Sequence, residues 1–313
     1  LYWIFIHSRD DPFEQPLCDP STGECHETPY IASPRTAYSA WNKQQFQLWW
    51  KFHYTLNQRA KEYATRRKEM KANNNDENVP RPLILLGDSI TESWMGTGMG
   101  QLKERAKGVH QVLEDELSMS HGLDPLVLAI SGDQTQHLLW RLQNGQLLPE
   151  YANDPVAVFV ILIGTNNLGA GELPEPTAQG IASVVDHLLK HTSEHNHIML
   201  MHVLPRGDGK TWLQNLCPPR CNSHGQPFKS FMPIIPRVNA MVEEFLPTGA
   251  TKDKRLSMVD CGTDFLNTEL DGHRHGQEDG SEVKEELMPD LLHPNAAGHK
   301  VLAKCIRDYI NKL

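Results

Sequence analysis

A three-layer α/β domain built on a parallel sheet is the fold class this chain predicts, and two observations carry that expectation. Apolar runs of strand length alternate with segments of helical periodicity along most of the 313 residues, the pattern of strands joined by right-handed helical crossovers. Several of the runs also end in short turns containing Gly, Ser or Asn, where open α/β sheets bind ligands outside the carboxyl ends of their strands. There is no internal repeat and no glycine-serine linker, so one domain over residues 38–313 with an irregular N-terminal arm over 1–37 is the simplest organisation.

The arm is expected from the density of Pro, Asp, Ser and Thr in residues 8–37. A lead-in helix follows over about 38–71, its apolar stripe marked by Trp41, Leu48, Trp49, Phe52, Leu56 and Tyr63. Leu83-Ile84-Leu85-Leu86, introduced by Pro82 and broken by Gly87, reads as a buried strand. Residues 101–118 read as a helix, 126–130 as a second strand and 135–143 as the next helix. The most apolar run, 156–163, is expected to be a central strand, followed by a helix over 176–191. Strands at 198–204 and 256–260 flank a helix around 235–245, and a closing helix over 294–311 starts with Pro in its first turn. Long insertions are expected at about 207–233 and 262–287.

The formal charge of -9 leaves no basic excess to pair phosphates, which argues against nucleic acid as a partner. Charge runs such as Arg66-Arg67-Lys68 and Glu114-Asp115-Glu116 are expected to be solvated helix faces. Beginning at Leu1 instead of Met, the chain reads as processed or trimmed. Leu1-Tyr2-Trp3-Ile4-Phe5-Ile6 is too short to span a bilayer; it suits either the tail of a removed signal or anchor, or a strand docked on the domain. Cys18 with Cys25, and Cys217 with Cys221, lie in loop-like sequence and can close as local disulfides, whereas Cys261 and Cys305 are expected to be buried free thiols. The cysteine pairs favour a secretory or luminal location, against which stand the absence of an N-x-[ST] sequon and the cytoplasmic alternative.

Four features fall at equivalent places in the chain. Ser89, Gly132 and Asn166 each follow an expected strand at its carboxyl end, and Asp290 and His293 precede the last helix. A serine at such a turn opens a helix, where backbone donors and dipole favour an anion. The three-residue spacing from Asp290 to His293 lets a carboxylate hold the imidazole tautomer while its other nitrogen faces the serine. Ser89 and Gly132 offer backbone N–H groups and Asn166 a side-chain amide, so nucleophile, base, orienting acid and three oxyanion donors are all present. No cofactor motif and no glycine-rich phosphate loop accompanies them, and no metal is implied. His273 and His275, one residue apart in an acidic loop, are a poor metal signal.

These residues are similar to the blocks of the SGNH, or GDSL-type, hydrolase superfamily. Gly87-Asp88-Ser89-Ile90 resembles its first block, Ile130-Ser131-Gly132-Asp133 its second, Gly164-Thr165-Asn166-Asn167 its third and Asp290-Leu291-Leu292-His293-Pro294 its last. The resemblance runs from about Trp41 to the C-terminus. It implies a flavodoxin-like, five-stranded sheet (the SGNH hydrolase fold) and a serine esterase that acts through an acyl-enzyme. Ser89, Gly132, Asn166 and His293 would take the four name-giving roles, with Asp290 completing the triad. The stretch from Gly132 to Leu142, and Leu204-Pro205-Arg206-Gly207, resemble the branch that holds platelet-activating-factor acetylhydrolases and bacterial acyl-esterases. That branch implies an acyl-ester substrate with a short, acetyl-type acyl group, carried on a glycan or a lipid.

His137, Trp140 and Arg141 are expected to brace their helix, and Asp88 to brace the nucleophile turn. Trp94, Met95 and Leu168 lie just beyond the blocks, where bulky side chains would crowd the acyl group. A lysophospholipase or thioesterase of the same fold is the alternative within the enzyme class. From another class comes a non-catalytic SGNH-fold binding or structural subunit, its arm serving as a membrane tether or docking on a protein partner. The complete triad and donor set argue against that second reading.

Overall fold

Leu83 to Leu86 alternate between two apolar environments, which fixes them as a strand buried on both faces. In the computed structural model, which describes residues 27–35, 43–73, 79–207, 224–226, 231–232, 234–246, 253–267 and 283–313, they form the middle of strand β1 (Arg81–Gly87). Ile84 and Leu86 pack with Trp49, Leu56, Phe159 and Val184 on one side. Leu83 and Leu85 pack with Trp94, Val112 and Leu302 on the other. Each such burial contributes about 1.5–3 kcal/mol.

Strands β2 (Leu123–Ala129), β3 (Val158–Leu162), β4 (His197–Met201) and β5 (Leu256–Val259) complete a sheet of order β2-β1-β3-β4-β5. All four pairings are parallel. This is the flavodoxin-like order, whose switch point lies between β1 and β3. One face is covered by helices α1 (Lys43–Asn73), α4 (Thr135–Arg141), α5 (Pro174–His191) and α6 (Ile235–Phe245), and the other by α2 (Ser89–Glu92), α3 (Val109–Glu116) and α7 (Ala296–Ile310). The expected three layers are therefore present. Among the described residues no helix is long and apolar enough to cross a membrane.

Four local expectations are corrected. The helix expected over 101–118 is confined to α3, because Thr97–Gly98 and Gln101–Leu102 pair as a short antiparallel ribbon. The Glu92 carboxylate takes the Met99 and Gly100 amides at its tip. Pro294 lies outside the last helix, since Asn295 is its cap and accepts the Gly298 N–H at 3.0 Å. Cys261 and Cys305 are not free: they form a disulfide with Cα atoms 5.8 Å apart, joining the end of β5 to α7. Trp41, the cysteine pairs Cys18/Cys25 and Cys217/Cys221, His273 and His275 lie outside the described residues, as does most of both insertions. The second insertion is closed at its base by a bridge between Leu266 and Val283.

The fourth correction concerns the basic run on α1. Arg67 is 1% exposed and is no part of a solvated face. Its guanidinium reaches Asp154 at 2.9 Å and Asp124 at 3.5 Å, while Arg66 and Lys71 cover the same two carboxylates from the rim. Asp124 lies near the amino end of β2 and Asp154 just before β3, so the cluster locks α1 to the end of the sheet opposite the strand termini that carry Ser89 and Asn166. Removing the central cation leaves two buried carboxylates short of a partner, which costs about 3–5 kcal/mol. Arg67→Met should lower the unfolding free energy in urea by about that amount, with turnover per folded molecule unchanged. A loss below about 1 kcal/mol would show that the cluster contributes no more than a surface ion pair.

Candidate active site

Strand β1 ends at Gly87, where a Cβ would lie 2.3 Å from the Leu162 carbonyl and 2.4 Å from Thr91 Oγ1, so only glycine lets β1, β3 and α2 approach this closely. Asp88 then caps α2, its Oδ1 accepting the Ile90 N–H at 3.0 Å. That cap puts Ser89 at the first helical position, with its N–H unused by any acceptor among the described residues. Ser89 is held from behind by Ser93, whose hydroxyl donates to its carbonyl at 2.8 Å.

The imidazole that faces Ser89 arrives from the segment before α7. Asp290 Oδ1 accepts the backbone N–H groups of Leu292 and His293 at 3.1 and 2.6 Å, closing a tight turn. Leu291 is carried into the left-handed region at φ 61°, a strained conformation held by the Leu291 N–H to Met288 and by Gly207 donating to the Leu291 carbonyl. In this turn His293 Nδ1 lies 2.6 Å from Asp290 Oδ2, and Nε2 lies 2.9 Å from Ser89 Oγ. A carboxylate can only accept, so Nδ1 carries the proton and Nε2 is free to receive one from the serine. Burial pushes the Asp290 carboxyl up, but the hydrogen bonds from the His293 ring and backbone outweigh it and bring the pKa down to about 2.

Gly132 follows β2 with φ 83°, a conformation that suits glycine, and its N–H also meets no acceptor among the described residues. Asn166 stands in the first turn after β3. Its amide donates to the Asp133 carbonyl at 2.9 Å and to Asp88 Oδ2 at 3.2 Å. Its neighbour Asn167 is fully buried and accepts the Thr135 N–H at 3.0 Å, tying this turn to the start of α4. Arg206, stacked 4.2 Å from the Phe231 ring, donates to the Thr165 carbonyl and braces the turn from outside.

All five residues expected from the sequence thus lie at the carboxyl ends of β1, β2 and β3 or in the turn facing them. Three contributors escaped sequence reasoning. Glu92 is fully buried, and its carboxylate accepts five hydrogen bonds: from Thr97 Oγ1, the Met99 and Gly100 amides, and the Ser131 amide and hydroxyl. Arg105 donates to Ser93 Oγ at 2.8 Å and to Ser131 Oγ at 3.3 Å. Arg35, from the arm, donates to the Ser131 carbonyl at 3.1 Å. The only hint of Glu92 was its place three residues after Ser89. The expected bracing does hold, since Arg141 is fully buried and donates to Asp133 at 2.7 Å. His137 pairs with Glu27 at 2.6 Å, and Trp140 packs on Trp50 and His53. Trp94 and Leu168 do not crowd the acyl group: both are core side chains, Trp94 edge-on to His299 at 4.5 Å. Among the described residues no cluster of His, Cys, Asp and Glu suits a metal.

The profile of the GDSL-like Lipase/Acylhydrolase family matches residues 85–301, which takes in Ser89, Gly132, Asn166, Asp290 and His293. The chain belongs to that family. It is a carboxylic ester hydrolase of the GDSL class. Curated relatives include the platelet-activating factor acetylhydrolase IB subunit alpha2 of Gallus gallus, 32% identical over 220 residues that cover 70% of this chain and 76% of that protein. The alpha1 subunit of Bos taurus is 36% identical over 191 residues, 61% of this chain and 65% of that one. The fold is shared with a solved GDSL-like lipase from Bacteroides thetaiotaomicron at a TM-score of 0.50 and 18% identity, covering 81% of this chain and 97% of that one.

Electrostatics set one further property of the family's first block. Burial raises the Asp88 carboxyl to about 7, and the charge of Asp133 works in the same direction. An acid whose folded pKa exceeds its unfolded value holds its proton in the folded state, so its contribution to stability falls as pH rises from about 3.8 to about 7. Asp88→Asn cannot ionise. Its unfolding free energy relative to the parent should therefore climb across that window and level off above it, in denaturant titrations at half-unit steps. A difference that stays flat from pH 4 to 7 would contradict the raised pKa.

Proposed function

We propose that the protein is a serine esterase that cleaves short-acyl, acetyl-type esters through a covalent acyl-enzyme. The observation that carries this reading is the continuous chain from Ser89 Oγ to His293 Nε2 at 2.9 Å and from His293 Nδ1 to Asp290 Oδ2 at 2.6 Å. In the first half-reaction Ser89 Oγ attacks the ester carbonyl and its proton passes to His293 Nε2, giving an imidazolium that the Asp290 carboxylate stabilises. The resulting oxyanion is received by the unspent N–H groups of Ser89 and Gly132. It is also received by the Asn166 hydrogen now directed at Asp88, the longer of that amide's two bonds. Collapse of the intermediate breaks the C–O bond and returns the proton to the leaving alcohol. Water then repeats the sequence on the acyl-enzyme, releasing the acid and restoring Ser89.

The acetyl preference is supported by the curated relatives, which are acetylhydrolases, and no longer by crowding from Trp94 or Leu168. The substrate is an acetylated glycan or a lipid ester, so the leaving alcohol is a hydroxyl of the glycan or of the lipid. An oxidising compartment is supported by the Cys261–Cys305 disulfide.

Ser89→Ala should retain the fold and drop hydrolysis of p-nitrophenyl acetate to the residual level that binding and oxyanion donors sustain. Asn166→Ala should lower kcat by about 10²–10³ with KM nearly unchanged, because its amide matters most when charge develops on the carbonyl oxygen. Across p-nitrophenyl esters from acetate to decanoate, kcat/KM should be highest at acetate and decline in steps. A maximum at octanoate or beyond would turn the assignment to a lysophospholipase, and undiminished turnover by Ser89→Ala would end the serine-esterase reading.

A further inference from the structure

The arm is not a bystander to the site. Residues 27–35 contain no helix or strand, yet they are fastened at four points, three on the first turn of α4 and one on the second block. Glu27 accepts from His137 Nε2 at 2.6 Å and from Gln136 Nε2 at 2.9 Å. His137 Nδ1 in turn accepts the Gln134 N–H at 3.0 Å, which fixes the ring as the tautomer that donates to Glu27. The Pro29 carbonyl accepts the Thr135 hydroxyl at 2.7 Å, and the Ser33 N–H donates to the Gln136 carbonyl at 3.2 Å. The fourth point is Arg35, which donates to the Ser131 carbonyl at 3.1 Å and is half-buried. No carboxylate pairs with Arg35 among the described residues. A Cβ on Gly132 would lie 2.8 Å from Arg35 Nη1, so the guanidinium occupies the space a larger residue at 132 would need.

The carbonyl that Arg35 engages belongs to the same peptide group as the Gly132 N–H. That peptide joins Ser131 to Gly132, so its oxygen and its hydrogen are the two ends of one dipole. A cation hydrogen-bonded to the oxygen draws electron density from the nitrogen and strengthens the N–H as a donor. From the other side, Glu92 grips the Ser131 amide at 2.7 Å and its hydroxyl at 2.6 Å. Arg35 thereby holds the Ser131–Gly132 peptide at its oxygen. Glu92 fixes the residue that carries this oxygen through the preceding peptide N–H and the side chain, while the Gly132 N–H meets no acceptor among the described residues.

We propose that Arg35 is a positioning residue of the oxyanion hole, aligning and polarising the Ser131–Gly132 peptide, and that the N-terminal segment is the strap that delivers it. This inference rests on the esterase reading above, in which the Gly132 N–H meets the oxyanion. Its effect belongs to the transition state, so it appears in kcat and not in KM.

The test uses the full chain with p-nitrophenyl acetate, a neutral ester, and with an acetyl ester of a carboxylate-bearing phenol. Arg35→Ala should lower kcat about tenfold on both, less than the loss on deleting a direct donor, with KM within about twofold and an unchanged melting temperature. Arg35→Lys should recover part of the loss. Glu27→Ala releases the strap, so it should lower kcat in the same direction, and the double variant should be no worse than Arg35→Ala alone. The Gly132 amide shift in an ¹H–¹⁵N spectrum gives a readout that needs no turnover: it should move upfield in Arg35→Ala and partly return in Arg35→Lys. An unchanged kcat with an unmoved Gly132 amide would overturn the proposal. So would a rise in KM confined to the anionic ester, which would make Arg35 a substrate-binding residue. A parent protein inert toward every ester would instead overturn the esterase reading, while the Gly132 shift would still report whether Arg35 polarises the peptide.

Discussion

A single buried carboxylate holds the two halves of the site together. Glu92 sits one helical turn beyond Ser89 and accepts five hydrogen bonds, two of them from Ser131 at the end of the neighbouring strand. Parallel strands supply no hairpin to connect their carboxyl ends, so a turn after β1 and a turn after β2 have no covalent reason to keep a common geometry. The carboxylate supplies that reason. An ion in this position is costly to bury alone, and only a complete set of donors makes it tolerable. The ribbon at Thr97–Gly98 and Gln101–Leu102, which closes over it, serves that same requirement by delivering two further amides.

The same logic extends around the strand ends. Asn167 ties the turn after β3 to the start of α4, Asp133 anchors Trp49 and Arg141 beneath it, and Asp88 links the turn after β1 to Asn166. Each of these polar groups is buried and hydrogen-bonded, and partial satisfaction would cost more than an apolar substitute. Among the described residues the N–H groups of Ser89 and Gly132 meet no acceptor, and these are the positions where the proposed mechanism places the developing negative charge. Stability and preorganisation are one property here, since donors fixed before the substrate arrives need no reorganisation when charge appears.

Much of this was legible in the sequence, for reasons that can be stated. The strands could be read because β1 and β3 are buried on both faces and therefore run as unbroken apolar stretches. Asp290 and His293 could be read because three residues is a spacing that a local turn satisfies. Glu92 to Ser131, Arg35 to Ser131 and Cys261 to Cys305 span 39, 96 and 44 residues, and no local pattern announces such contacts. Arg67 misled for a related reason. A basic triplet on a helix looks solvated until the sheet brings Asp124 and Asp154 beneath it. Trp94 and Leu168 misled because proximity in sequence to the blocks is not proximity to the acyl group.

Ser89 Oγ is the atom that becomes acylated in the proposed mechanism. Incubation with a fluorophosphonate, followed by intact mass and peptide mapping, addresses that directly, because the reagent phosphonylates a serine only where a base removes its proton and donors receive the phosphoryl oxygen. One adduct per chain, located on Ser89 and lost in His293→Ala, is the result expected. An adduct on a different residue, or full ester turnover by protein that carries none after exhaustive labelling, would contradict it.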